Sequence, residues 1–556
     1  MTPLDAMLRI LREEGVRHVF GNPGTTELPF LDSLADTEDI EYVLGVQEAS
    51  VVAMADGYAR TTRKPAFVSL HAAGGLTNGL VGLLNASRSH TPLVVTAGQQ
   101  DRRHLAQDPM LSGDLVGLAS PAVKTAMDVH HVHDLPVLLR RAFAFAAQPP
   151  AGPVFLSIPM DVLTEDVHVA VPGMSTVPPL GPATGVAEAA EVLRRARCPA
   201  IVAGDGVGRD RAMDELIAVA EALGAATYHQ PMHDGLNFPQ THALHAGTLA
   251  PVNAAIRNSL DSYDVIFVVG CHAFMAHHYT PGPAIPDSAT VVQLDTDPAE
   301  IGRNFAVRVG LVGGLAETLA ELVRTLTGSV PEAGSRARAL AQHHTARRAA
   351  AETDALRKHG QTPLDPKTAA HTVATALPAD CVVVEEAITM GVELRTFLRL
   401  DRPGSLVHTV GGGLGSGIGA AVGSRMGDPR RPVVSVLGDG CTLFGVQGLW
   451  SAARYQVPVT FVVMNNGEYR TLKETLDAWN SAATANGRYP GLDLAPPRLD
   501  FTQAAAFFGV DSVRVGSTGE LIELVATAGT RDAPLVVEVP ITGHSIATQR
   551  REVDTS

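Results

Sequence analysis

Two apolar runs end in residues with ligating chemistry. Val433–Leu437 stops at Gly438-Asp439-Gly440, and Val459–Met464 stops at Asn465-Asn466, with 24 residues (441–464) between the Gly-Asp-Gly triplet and the Asn pair. The Asp439 carboxylate, the Asn466 amide oxygen and one main-chain oxygen, that of Glu468, form half an octahedron of hard donors. Magnesium or calcium bound there takes its remaining ligands from diphosphate oxygens and water. Gly438 and Gly440 let the backbone come close to such an anion. The chain supplies its own control in Gly204-Asp205-Gly206, which also follows an apolar run. The same count from Gly206 lands on Pro231, with no Asn pair nearby. That triplet is expected to be only a strand-to-helix turn.

A second group of residues suits proton transfer. Gln47-Glu48 precedes the apolar stretch Val51-Val52-Ala53-Met54-Ala55, so Glu48 is expected to enter a buried helix, where a carboxylate can share a proton with a ring nitrogen. His71 lies in Leu70-His71-Ala72-Ala73-Gly74, and His277 lies beside His278 in Ala276-His277-His278-Tyr279. With 21 histidines in the chain, residue type alone singles out none of them. His130-His131 and the His131/His133 pair read as surface features, since no third metal ligand stands near them.

These residues need strands to carry them. Short β-branched runs, including Asp264–Val269 and Ala289–Leu294, alternate with helix-length segments, which argues for parallel α/β sheets that bind ligands beyond the carboxyl ends of their strands. A Pro/Gly-rich stretch at 171–185 reads as a linker, and the charged, Ala-rich stretch from about 330 to 361 as a connecting helix. Three blocks result, 1–168, 186–328 and 362–546, each expected to be a doubly wound parallel sheet. Thr2-Pro3-Leu4-Asp5 opens the first and Thr362-Pro363-Leu364-Asp365 the third. Both read as helix N-caps, and four residues do not establish a duplication.

The chain has 556 residues, 45% hydrophobic and 18% charged, which is ordinary globular composition with room for several domains. A net charge of -15 argues against nucleic acid or an anionic membrane as a partner. Cys198, Cys271, Cys381 and Cys441 lie far apart, so neither disulfides nor a zinc site is expected, in keeping with a cytoplasmic location. The N-terminus lacks a signal peptide's apolar core, and no run reaches transmembrane length.

Phe20-Gly21-Asn22-Pro23-Gly24-Thr25-Thr26-Glu27, Gln47-Glu48-Ala49, Ala55-Asp56-Gly57-Tyr58-Ala59, Leu294-Asp295-Thr296-Asp297-Pro298-Ala299-Glu300 and the Gly-Asp-Gly to Asn-Asn pattern resemble the thiamin diphosphate-dependent 2-oxo acid decarboxylases and acetolactate synthases, over essentially the whole chain. GNPGTTELPFL, LHAAGGLTN, VVTAGQQ, TVGGGLG and MNNGEY are similar to the benzoylformate decarboxylase branch. The resemblance implies pyrimidine-binding, middle and diphosphate-binding domains in that order, with thiamin diphosphate and magnesium or calcium as cofactors. It implies cofactor contacts at Asn22, Pro23, Gly24, Glu48, Thr389, Gly412, Leu414, Gly438, Asp439, Gly440, Cys441, Thr442, Asn466 and Tyr469, and metal ligation by Asp439, Asn466 and Glu468. Glu48 matches the glutamate that bonds the aminopyrimidine ring, and Leu414 the apolar residue that holds the cofactor bent. His71 and His277 match the branch's two catalytic histidines, with His278 as the alternative to His277, and Thr25 stands where that branch holds the substrate carboxylate with a serine. The implied activity is non-oxidative decarboxylation of a 2-oxo acid to an aldehyde and carbon dioxide, with carboligation as the alternative, in a homodimer or homotetramer.

The chain departs from the pattern in several places. Ile388 replaces a diphosphate-binding hydroxyl beside Thr389, and backbone donors around Cys441 and Thr442 are expected to compensate. Thr475 falls where the branch has a phenylalanine near its substrate, and Leu472 where pyruvate decarboxylases have a glutamate. Arg470 and Lys473 read as charges of a solvated helix face, and 476–497 as an insertion able to form a lid. The middle block offers no strong flavin motif.

Overall fold

The computed structural model describes residues 1–326 and 330–543, so the expected block ends at 328 and 546 lie outside the described residues. The chain divides into two compact units. One comprises 1–175, 355–397 and 411–556, and the other 176–354 and 398–410.

In the first unit, His18–Gly21 (β1), Glu41–Leu44 (β2), Ala66–Leu70 (β3), Leu93–Gln99 (β4), Thr125–Asp128 (β5) and Val154–Pro159 (β6) form a parallel sheet in the order β2-β1-β3-β4-β6-β5. The second unit holds Pro199–Ala203 (β7), Ala226–His229 (β8), His245–Thr248 (β9), Val265–Val269 (β10), Thr290–Asp295 (β11) and Val309–Val312 (β12), ordered β12-β11-β10-β7-β8-β9. Its strands alternate between two cores. Ile201, Phe267 and Leu294 face one, with Leu216 and Leu319, while Val202, Ile266 and Val268 face the other, with Ile256 and Leu260. Burial on both faces is what doubly wound strands require.

The first unit also carries Val382–Glu386 (β13), Val433–Gly438 (β15), Val459–Asn465 (β16), Asp511–Arg514 (β17) and Leu535–Pro540 (β18), all parallel in the order β13-β15-β16-β18-β17. The short strand Leu406–His408 (β14) lies in the second unit, where Val407 bridges to Gly235 and the His408 N–H donates to the Asp234 carbonyl. The order β13-β15-β16-β18-β17 repeats β1-β3-β4-β6-β5. Topology thus supplies the duplication that the TPLD echo could not, although the caps themselves differ. Thr2 and Asp5 form a capping box on the helix Pro3–Glu13, whereas Asp365 itself caps Pro366–Ala376.

Two helices join these halves of the first unit. Glu48–Thr62 begins where the Gln47 side chain accepts the Ser50 N–H and ends at Arg63 in a left-handed conformation. It packs against Ser416–Gly427 at main-chain contact: a Cβ on Gly57 would lie 2.0 Å from the Ala420 carbonyl oxygen, and one on Gly423 would lie 1.8 Å from that of Met54. Gly419, Gly423 and Gly427 recur at four-residue spacing on that face, so these glycines serve helix contact. The connecting helix runs Ala333–Leu356. Among the described residues no helix is long and apolar enough to cross a membrane, and all four cysteines are free.

Candidate active site

Because β2, β1 and β3 are neighbours, the turns that follow them converge. Asn22, after β1, donates through Nδ2 to Glu48 Oε1 at 3.0 Å, and Asn78 donates to Glu48 Oε2 at 3.1 Å. Glu48 is buried, as its sequence context predicted. His71 follows β3 and is half-buried, with Nδ1 2.9 Å from Glu27 Oε2 and 3.1 Å from Thr26 Oγ1. Glu27 also accepts the Gly24 N–H at 3.0 Å, the Gly98 N–H at 2.9 Å and the Thr26 hydroxyl at 2.7 Å. An ionised carboxylate only accepts, so His71 donates to it through Nδ1 and turns Nε2 away from it. A Cβ on Gly75 would lie 3.4 Å from Glu48 Oε1 and 3.6 Å from His71 Cβ, which sets both side chains around one point. At Gly24, whose neighbour is Pro23, a Cβ would come 2.2 Å from the His71 ring, so only glycine fits.

Sequence reasoning missed Glu27 and Thr26. Thr25, chosen from the motif, is exposed, while Thr26 and Glu27 are buried against His71. The available signal was a buried-type acid inside the same motif.

On the third sheet, Asp439 follows β15 and Asn466 follows β16, and these strands are paired. Asp439 accepts N–H bonds from Gly440 at 2.8 Å, Asn466 at 3.1 Å and Gly467 at 2.7 Å. Burial pushes its carboxyl up from the usual range, against the pull of those N–H groups. Asn466 Oδ1 accepts the Glu468 N–H at 3.0 Å. The two asparagines divide: Asn465 turns inward to Glu538 Oε1 at 3.0 Å, and Asn466 faces the Asp439 loop. The Tyr469 ring lies on Gly440, where a Cβ would approach it to 2.8 Å. The Thr442 hydroxyl donates to the Gly438 carbonyl at 2.8 Å, and burial raises the thiol pKa of neighbouring Cys441, leaving it protonated and unreactive.

Thr389 is half-buried in the first turn of the helix Ile388–Phe397, and Ile388 beside it is exposed. Glu386 accepts N–H bonds from Gly415 at 2.8 Å, Ser416 at 3.1 Å and Gly417 at 2.8 Å, so the start of Ser416–Gly427 is occupied by the chain's own carboxylate. Burial pushes Glu386 up to about 7, opposed by those three donors. Ahead of it, Gly412 adopts φ +84 in open space, and Leu414 is half-buried. Asn85 grips the residue between them, accepting the Gly413 N–H at 3.1 Å and donating to its carbonyl at 2.8 Å.

The remaining expected residues stand elsewhere in the chain. His277 is exposed in the second unit, with Nδ1 3.1 Å from His278 Nε2 and its N–H donating to the Pro251 carbonyl. His130, His131 and His133 are exposed. Asp205, the control, is fully buried and accepts from Gln230, Asn237 and the Asp234 N–H, while Gly204 and Gly206 pack on Gly270 and Cys271. Burial and the neighbouring Asp234 hold its pKa well above the ordinary value. Its carboxylate is consumed by its own domain.

The Asp439 carboxylate, the Asn466 amide oxygen and the Glu468 carbonyl suit magnesium or calcium in donor chemistry, and the glycine-lined turns beside them suit a diphosphate. Family comparison supports the thiamin diphosphate part of that fit. Residues 1–117 match the thiamine pyrophosphate enzyme N-terminal TPP binding domain, 186–322 the central domain and 389–539 the C-terminal TPP binding domain. A benzoylformate decarboxylase of Pseudomonas aeruginosa is 37% identical over 544 residues, covering 96% of this chain and 98% of that one. An acetolactate synthase of Mycobacterium bovis is 28% identical over 555 residues, covering 97% and 88%. Among solved structures, a benzoylformate decarboxylase from Polynucleobacter necessarius superposes with a TM-score of 0.88 at 30% identity, covering 97% of this chain and 98% of that one. A thiamine diphosphate-dependent 4-hydroxybenzoylformate decarboxylase from Rhodococcus jostii gives 0.86 at 31%, covering 98% and 100%. The chain therefore belongs to the thiamin diphosphate enzymes, in the superfamily of 2-oxo acid decarboxylases and acetolactate synthases.

Proposed function

We propose that the protein is a magnesium-dependent, non-oxidative decarboxylase of 2-oxo acids of the benzoylformate type, releasing carbon dioxide and an aldehyde. The observation that carries this reading is His71 held by Glu27 beside Glu48, a proton-handling pair at one strand-end cluster. Thiamin diphosphate supplies the nucleophilic carbon and the electron sink. Asn22 and Asn78 orient Glu48 so that its carboxylate holds a proton against the pyrimidine ring. Nε2 of His71 takes up and returns a proton at the substrate. Thr25 binds the substrate carboxylate, and His277 acts as a second proton carrier, with His278 its alternate. Asp439, Asn466 and the Glu468 carbonyl hold the cation that neutralises the diphosphate, and Leu414 supports the bent cofactor.

Assembly as a homodimer or homotetramer belongs to the same proposal, with Glu48 of one chain and Asp439 of another serving one cofactor. Exposed Ile388, Val392, Leu443 and Phe444 on the third-sheet half support a covering partner surface.

The test is carbon dioxide release from a panel of 2-oxo acids with thiamin diphosphate and magnesium. Arylglyoxylates should turn over fastest, and an acceptor aldehyde should not be required. Release that depends on an acceptor would favour the carboligase reading, and no release from any 2-oxo acid would overturn both.

A further inference from the structure

Lys473 stands on the helix Arg470–Ala478, where sequence placed it on a solvated face, yet its side chain is buried. An ammonium without water needs charged partners, and two carboxylates supply them. Nζ donates to Glu468 Oε2 and to Asp493 Oδ1, each at 2.5 Å, and lies 5.5 Å from the centre of the Tyr489 ring. Glu468 and Asp493 belong to different segments with different tasks. Glu468 ends the Asn466–Glu468 loop, whose main-chain atoms face Asp439, and Asp493 sits in the insertion that sequence marked as a lid. Backbone bonds lace the two together: Tyr469 N–H to the Leu492 carbonyl and Leu494 N–H to the Gly467 carbonyl, both 2.8 Å, flanking an antiparallel bridge between Glu468 and Asp493. Tyr489 fastens the insertion back to the helix through its hydroxyl on Asp477.

We infer that Lys473 is a positioning residue that clamps the 489–494 strap onto the Asn466–Glu468 loop and thereby holds the cation's donor set in shape before the cation arrives; the inference rests on the thiamin diphosphate reading of that loop. Two physical steps lead there. First, the ammonium engages the Glu468 carboxylate, so its main-chain oxygen is what remains to serve a metal. Without Lys473 the buried Glu468 carboxylate would lose its ammonium partner one residue from Gly467, whose φ of +69 and N–H bond to Asp439 set the loop's turn. Second, the strap and the loop share a ladder, so ordering one orders the other. By reciprocity, cation and cofactor must protect the strap as much as the closed strap favours their binding.

The experiment compares wild type with Lys473→Met and Lys473→Arg, prepared free of cofactor. Magnesium-dependent thiamin diphosphate affinity is read by calorimetry, and strap closure by the rate of tryptic cleavage after Arg488, which is exposed at the strap's entry. Lys473→Met should weaken affinity at least tenfold and accelerate cleavage in the presence of magnesium and cofactor, and Lys473→Arg should restore most of both. Wild-type affinity with wild-type protection in Lys473→Met overturns the inference. Asp439→Ala is the control: if it too binds normally, the thiamin reading of the loop has failed, whereas its loss of binding alongside a normal Lys473→Met condemns the clamp alone. Should Lys473→Met not fold, the pair Glu468→Gln with Lys473→Met also neutralises the carboxylate that lost its ammonium and must show the same weakening, and wild-type affinity there overturns the inference equally.

Discussion

Glu27 Oε2 lies 2.9 Å from Nδ1 of His71, and the same carboxylate is held by the N–H groups of Gly24 and Gly98. A buried acid fixed by main-chain donors cannot swing away, so the imidazole inherits both its orientation and its tautomer from β1 and β4. Glu27→Gln offers an amide of the same size that can turn its NH2 toward Nδ1. Turnover should fall by roughly tenfold to a hundredfold, the scale of lost orienting partners, with the pH profile of kcat displaced and cofactor affinity kept. Wild-type turnover and profile would show that Glu27 only packs.

Glu48 and His71 should separate in time. Glu48→Gln should slow exchange of the cofactor's C2 proton for deuterium in substrate-free enzyme, followed by quenched-flow NMR. His71→Ala should leave that exchange near normal and lower decarboxylation by about a hundredfold or more, as for a lost general acid or base. If His71→Ala instead lowers thermal stability while turnover per cofactor-bound site stays unchanged, His71 has no part in the chemistry.

Asp439→Ala should abolish magnesium-dependent binding of thiamin diphosphate, because it removes the only charged donor of the set. Its far-UV spectrum without cofactor should match that of wild type, with a melting temperature lowered only by the three lost N–H bonds, and both are measured first to keep binding and folding apart. The mirror substitution Asp205→Asn should leave cofactor affinity intact, since that carboxylate faces its own domain.

Glu386 gives a pH signature. Its folded-state value of about 7 lies above the ordinary 4.5, so between those pH values the native chain keeps a proton that the unfolded chain releases. Stability from this group is full below the ordinary value and declines as pH rises to about 7, by at most about 3 kcal/mol. Urea midpoints at pH 5 and pH 8 should therefore converge in Glu386→Gln relative to wild type. An unchanged gap between the two midpoints would place the titration elsewhere.

The diphosphate end of the site could be read from sequence because its parts are local. Two short helices, Asp439–Gly445 and Gly448–Arg454, and the strand β16 carry the chain from Asp439 to Asn466, and spacing alone separated this triplet from the one at Asp205. The proton-handling end could be read only in part. Glu48 and His71 announce themselves by their motifs, but Glu27 meets His71 because β1 and β3 are neighbours, a fact of strand order that no local spacing encodes. Lys473 misled for a related reason. Its period on the helix matches a solvated face, and the acid that accompanies it into the interior, Asp493, comes twenty residues later from an irregular segment. The repeated strand order was hidden too, since the N-cap falls on the first residue of the shared four-residue motif at Thr2 and on the fourth at Asp365.

That repetition has a practical side. The strand beside the first one in each sheet, β3 or β15, ends in the turn that holds His71 in one case and Asp439 in the other, so a single location in the fold carries an imidazole in one domain and a carboxylate in its counterpart. The sheets and the glycine-lined helix contact do not depend on which residue occupies that turn. On the proposed reading, His71 and Asp439 can therefore be exchanged one at a time without rebuilding the sheets that carry them.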